Sequence, residues 1–177
     1  MATATATLLT LRPEQAHFES PSFKDGLAGL IRVGLAVKGI AFPAKEDTSV
    51  DFVARIPTLY TATTGITFNL LLAEDQHNPG GATVARFAVT VKLLTSTTDV
   101  LDWTVAGTQT VASVTPPATG TTQASVVTLA IPIVAANLDS VVADSWCAIR
   151  VQRLGHSDAA DANPGRLVLL MVDVRDT

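Results

Sequence analysis

Between Ile31 and Lys38 every second residue is a large apolar one: Ile31, Val33, Leu35 and Val37 alternate with Arg32, Gly34, Ala36 and Lys38. A strand sends successive side chains to opposite faces, so this period marks a ribbon with one buried face. The same beat returns at Val50, Phe52, Ala54 and Ile56, at Ile66, Phe68, Leu70 and Leu72, and at Phe87, Val89, Val91 and Leu93. It predicts strands over residues 30–42, 50–56, 66–72, 84–94, 125–134, 145–154 and 166–175, with shorter candidates at 101–103 and 108–114. Pro132 donates no ladder bond, which predicts an edge or a bulge there. Turn-rich intervals such as Asn78-Pro79-Gly80-Gly81 separate the runs. Seven to nine strands with no long helical period predict an all-β fold, an antiparallel two-sheet sandwich that is jelly-roll-like.

The first 26 residues read differently. Ala-Thr repeats run into Leu8 and Leu9, and Pro13, Pro21 and Gly26 punctuate the rest of this stretch. This predicts an extended N-terminal arm over 1–26, with one helical turn begun by Pro13, ahead of a sandwich domain over 27–177. An arm that orders on a neighbour needs apolar anchors, and Leu8, Leu9, Leu11, Phe18 and Phe23 are the candidates.

Composition narrows the partners. The chain is 47% hydrophobic and 5% aromatic, so Val, Ala, Leu and Thr build its core. Charged residues make up 16%, against roughly 25% in typical soluble domains. A surface this poor in charge predicts cover by other subunits. A net charge of −4 with no basic run argues against nucleic acid as a partner. No stretch approaches the roughly 18 apolar residues of a membrane span, and the N-terminus lacks a secretory pattern. The expectation is a soluble chain with no membrane partner.

Candidate chemistry is sparse. Cys147 sits in the apolar run Trp146-Cys147-Ala148-Ile149, which predicts a buried, inert thiol. His17, His77 and His156 lie far apart and form no His-x-x-x-His pattern, so no shared metal site is expected. Glu74-Asp75-Gln76-His77 and the Asp158/Asp161 loop lack the spaced carboxylates of a calcium loop and read as solvated charge. Ser140 and Ser157 lie near acids without a nucleophile motif. Asp51 and Asp173 are the strand acids that a glycosidase pair would draw on, though nothing in their spacing selects them. Trp103, Trp146 and Tyr60 are too few for a broad sugar-stacking platform, and Trp146, opening an apolar strand, reads as core. No catalytic, metal or cofactor residue is assigned.

Two stretches resemble the small β-sandwich virion proteins of tailed bacteriophages. One runs Asp51-Phe52-Val53 through Ile56-Pro57-Thr58-Leu59-Tyr60 into Gly65 and the Ile66-Thr67-Phe68-Asn69-Leu70 strand. The other runs Leu138-Asp139-Ser140 through Ala143-Asp144-Ser145, then Trp146 to Leu154, the Asp158-Ala159-Ala160-Asp161 loop and the closing strand to Val174. The resemblance, over about residues 50–175, implies a non-enzymatic capsid decoration or cement protein on the virion surface, made in the host cytoplasm. It implies a homo-oligomer, a trimer being favoured, bound to the major capsid protein. The Asn78-Pro79-Gly80-Gly81 insertion and the Trp146-Cys147 pair depart from that pattern. The alternative is a tail or receptor-binding module that binds carbohydrate, for which Trp103 and the 74–77 loop are the places to look.

Overall fold

The alternating runs become strands of two stacked sheets. The computed structural model describes residues 6–17, 29–33, 37–61, 63–74, 83–95, 103, 107–116 and 126–177. Among them are eleven strands: β1 (Thr7–Leu11), β2 (Ala16–His17), β3 (Gly29–Val33), β4 (Val37–Phe42), β5 (Asp47–Arg55), β6 (Gly65–Glu74), β7 (Ala85–Leu94), β8 (Thr110–Val114), β9 (Val126–Val134), β10 (Trp146–Leu154) and β11 (Leu167–Asp176). Sheet A has the order β3-β4-β11-β6-β9, and β1 also pairs with β11; sheet B has the order β2-β5-β10-β7-β8. Every pairing is antiparallel. The chain is an all-β, two-sheet antiparallel sandwich, as its alternation predicts.

The inner faces match the predicted rows. Ile66, Phe68, Leu70 and Leu72 of β6 are fully buried, opposite Phe87, Val89 and Val91 of β7 and Cys147, Ile149 and Val151 of β10 in the core. Phe42 and Phe87 meet edge to face, ring centroids 5.5 Å apart, a favoured aromatic geometry that ties sheet A to sheet B. Gly65 opens β6 at φ +121°, and a Cβ there would lie 2.3 Å from the Ile133 carbonyl oxygen, so only glycine fits. Among the described residues β9 pairs with β6 alone and ends sheet A, so Pro132 lies in an edge strand there.

Three departures have physical causes. The expected single strand over 30–42 is a hairpin, in which β3 and β4 pair with Val33 opposite Val37. Alternation survives a reversal of the chain, so period alone could not see the break. β11 carries a bulge between Leu169 and Met171. The extra residue changes which parity faces inward, so Leu167, Leu169, Val172 and Val174 are all buried while Asp173 and Arg175 point out. Trp146, expected in the core, is 53% exposed, because Cys147 and Ile149 take the inward positions of β10. The predicted strand at 101–103 falls on residues of which only Trp103 is described, and that one lies in a bend.

The N-terminal segment meets both sheets. Thr7–Leu11 lies along β11, and Ala16–His17 adds to the edge of β5. Between them Pro13 opens a single 3-10 turn, Pro13–Gln15. Leu8 and Leu11 are buried in this chain's own core, and Leu9 packs against it. Phe18 and Phe23 lie outside the described residues.

Candidate functional site

The bulge in β11 builds a groove on the outer face of sheet A. Past Leu170, the outward residues of β11 are Met171, Asp173 and Arg175; their cross-strand partners on β6 are Leu71, Asn69 and Thr67. β9 sets Thr128 beside Leu71. These seven side chains line a groove of about 440 Å³, within the roughly 300–1,000 Å³ range of small-molecule sites. The three rows extend it over roughly 13 Å along the strands, at about 3.3 Å per residue.

The groove is graded in chemistry. At one end Leu71 and Met171 form an apolar floor, next along the strands to the outer cluster of Ala73, Val168 and Leu170. At the other, Arg175 Nε donates to Asp173 Oδ2 at 2.6 Å, and the Thr67 and Thr177 hydroxyls lie 2.9 Å apart. The Asp173 side chain is 16% exposed and that of Arg175 is 45% exposed, so the guanidinium remains reachable. One carboxylate and one guanidinium cancel, leaving a lining of no net charge. Asn69 adds an amide that both donates and accepts.

The outer face of sheet B is organised differently. Arg150 clasps Asp51 across strands with two contacts of 2.8 Å, Nε to Oδ1 and Nη2 to Oδ2. The Trp103 indole N–H donates to Asp51 Oδ2 at 3.1 Å, and the Arg150 guanidinium stacks on the Trp103 ring at 4.5 Å. Further along, the Gly107 amide donates to the Val91 carbonyl, and Gln109 donates to Gln152. A Cβ on Gly107 would lie 2.3 Å from the Asn137 carbonyl oxygen, so the chain fits there only as glycine. With these described points of the 103–109 stretch tied to the sheet, the outward residues Ala88, Thr90 and Lys92 of β7 are buried. Asp51 therefore serves as an anchor.

Between the sheets, Arg153 is fully buried with Asp161. Its five N–H groups all find acceptors: Asp161 Oδ2 at 3.1 Å and Oδ1 at 3.0 Å, and the carbonyls of Phe42 (3.2 Å), Gly165 (2.7 Å) and Asn163 (2.6 Å). Asp161 also accepts from the backbone amides of Arg86 and Asn163. A buried charge survives only when paired and hydrogen-bonded this fully. The sequence signal for this arginine was an inward-parity position, in step with Cys147, Ile149 and Val151, filled by a cation.

The remaining sequence candidates separate. Asp51 and Asp173 lie on opposite outer faces, with the whole sandwich between them, so they cannot flank one bond. Asp158 pairs with Arg86 at 2.8 Å, and Asp161 with Arg153, so guanidinium groups occupy both loop acids. His156 lies in a loop where its amide and that of Ser157 donate to Asp47, while His17 is exposed in β2. Glu74 is buried at the end of β6, and residues 75–82, with His77, lie outside the described residues. Among the described residues no three His, Cys, Asp or Glu side chains gather as a metal site. Tyr60 is buried, and burial together with the nearby Asp176 charge raises its phenol pKa. The Cys147 thiol is buried as its apolar setting predicted, and desolvation pushes its pKa up to about 12.

No protein-family model matches the sequence, and no curated protein does. Among solved structures the chain is similar to the mannan-recognising carbohydrate-binding module TmCBM27, with a TM-score of 0.47, 12% identity and 99% of each chain covered. It is similar to the family 11 carbohydrate-binding module from Clostridium thermocellum, seen with a β-1,3-1,4-mixed-linked tetrasaccharide: TM-score 0.40, 11% identity, 99% of this chain and 91% of that one. It is also similar to part of a family GH115 4-O-methyl-α-glucuronidase, with a TM-score of 0.48 and 10% identity, and it spans 18% of that enzyme's length.

Proposed function

We propose that the chain is a non-catalytic binding module whose outer sheet A groove holds a neutral saccharide. The observation that carries this reading is the lining: an amide, a carboxylate, a guanidinium and hydroxyls beside a floor of Leu71 and Met171. A sugar ring presents hydroxyls on its rim and C–H groups on its face, and such a graded lining meets both. The absence of net charge in the lining favours a neutral ligand over a phosphorylated or uronic one. The test is titration calorimetry against a panel of neutral oligosaccharides, beside charged controls. Asn69→Ala and Asp173→Ala each weaken binding by about tenfold, the order expected of one lost polar contact. No binding across the panel, or binding that both variants leave intact, overturns the reading.

The second reading is a capsid decoration subunit bound to the major capsid protein, as the residue resemblance implies. The large apolar side chains Leu59, Val142 and Trp146, exposed on a chain with 16% charged residues, favour a contact role. Mass spectrometry of purified particles tests it: copy number near that of the major capsid protein supports decoration, and absence from the particle removes it.

A further inference from the structure

We propose that the open end of sheet B's outer face, centred on Trp146 and Val53, is the contact through which two copies of this chain pair about a two-fold axis. Strand parity sets Trp146, Ala148 and Arg150 outward on β10, opposite Arg55, Val53 and Asp51 of β5. The Arg150 row is capped by Trp103, but Trp146 is 53% exposed and Val53 is 46% exposed. On the other side Trp146 faces the partly buried Leu94 of β7. The turns that end β5 and precede β10 carry the exposed Leu59 and Val142, and these turns are joined by hydrogen bonds between Ile56 and both Asp144 and Ser145. Trp146, Val53 and Leu94 thus share one end of this face, beside the turns that carry Leu59 and Val142.

The rim says what fits. Arg55 Nη2 and Asp144 Oδ2 are 2.8 Å apart, and both side chains are 54% exposed. A two-fold contact must be self-complementary, because each residue meets the same surface on its partner. A patch with one guanidinium and one carboxylate meets that condition: an axis beside Trp146 lets the two ion pairs join in an alternating cluster. It does so on a chain whose net charge of −4 would otherwise keep copies apart. A basic or acidic partner would find no net charge to read at this rim. Exposed Trp and Arg are the residue types that dominate interface energies. The groove lies on the opposite face, so pairing leaves it open.

The test is sedimentation equilibrium of the whole chain over a range of concentrations. The wild type follows a monomer–dimer equilibrium, and Trp146→Glu weakens it by about 100-fold, the loss expected when an interface centre is replaced. Because Trp146 is half exposed, that variant keeps its circular dichroism and melting temperature. Arg55→Asp weakens pairing and Arg55→Asp/Asp144→Arg restores it. A wild type monomeric throughout, a trimer, or a Trp146→Glu variant that associates as the wild type does overturns the proposal. If Trp146→Glu fails to fold, the charge reversal and its rescue decide the matter: no rescue overturns it.

Discussion

The two outer faces of the sandwich each carry an aspartate–arginine pair, and the pairs do different work. On sheet B, Asp51 and Arg150 face each other across strands, meet through two contacts, and are capped by the Trp103 ring. Their lone pairs and N–H groups are turned inward on one another, which holds Trp103 on the face. On sheet A, Asp173 and Arg175 are two apart on one strand and meet through Nε, with nearly half of the arginine side chain in solvent. The same residue types thus make an anchor where two contacts join them and a ring covers the arginine, and an adaptable lining where one contact joins them and the arginine stands open to solvent. A charge pair reads as structure or as site only once its cover is known.

The comparison can be broken in graded steps. The largest effect is expected below both faces. Arg153→Met leaves Asp161 buried without its partner and costs about 3–5 kcal/mol, read as a fall in the urea midpoint; a loss under about 1 kcal/mol would mean water reaches that carboxylate. Next, Asp51→Ala removes an anchor whose two partners are both part-exposed, costing about 1–2 kcal/mol after screening is allowed for. Trp103 emission, followed in a Trp146→Phe background, shifts to the red as its ring is released. Saccharide binding stays unchanged, because the groove is on the other sheet.

Smaller still is Asp173→Ala, which removes one hydrogen bond to a half-exposed arginine and costs under about 1 kcal/mol, while weakening saccharide binding. A large stability loss there would turn the pair into a second anchor and erase the contrast. Finally, acid acts on one loop. Burial alone would raise the Asp47 carboxyl, yet donation from the Ser157 and His156 amides outweighs it and holds the pKa below its usual value. Hydrogen bonding from Arg86, helped by the Ala160 amide, lowers that of Asp158. A carboxylate depressed in the folded state adds stability above its unfolded pKa of about 4. That stability is lost as pH falls through the folded value. The protection of the His156, Ser157 and Ala160 amides, taken relative to their intrinsic exchange rates, therefore falls below about pH 4 while the core amides of β6 and β10 keep theirs; an equal fall everywhere would contradict it.

Much of the sandwich was legible because strand period is local. The inward rows of β5, β6, β7 and β10 follow directly from alternation at Val50, Ile66, Phe87 and Cys147. What failed depends on chain reversal or parity. The 30–42 run kept its beat through a hairpin, and strict alternation along 166–175 would place Asp173 on the same face as Leu167 and Leu169. That conflict was itself visible: two buried-type leucines followed by two buried-type valines out of step demand an extra residue between them. Reading it would have located the bulge, and with it Met171, Asp173 and Arg175 of the groove. The cover over sheet B was not legible, because it depends on a segment joined to Asp51 and Gln152 over long separations in sequence. The exposure of Trp146 was recoverable from parity with Arg150, against the pull of its hydrophobicity.

The contrast between the open groove and the anchored face is tested most directly by a residue-resolved NMR titration with a neutral oligosaccharide. Binding at the groove moves the resonances of Thr67, Asn69, Leu71, Thr128, Met171, Asp173 and Arg175 and leaves the Trp103 indole N–H in place. Shifts gathered on Trp103, Trp146 and their sheet B neighbours, or no saturable shift at all, would contradict it.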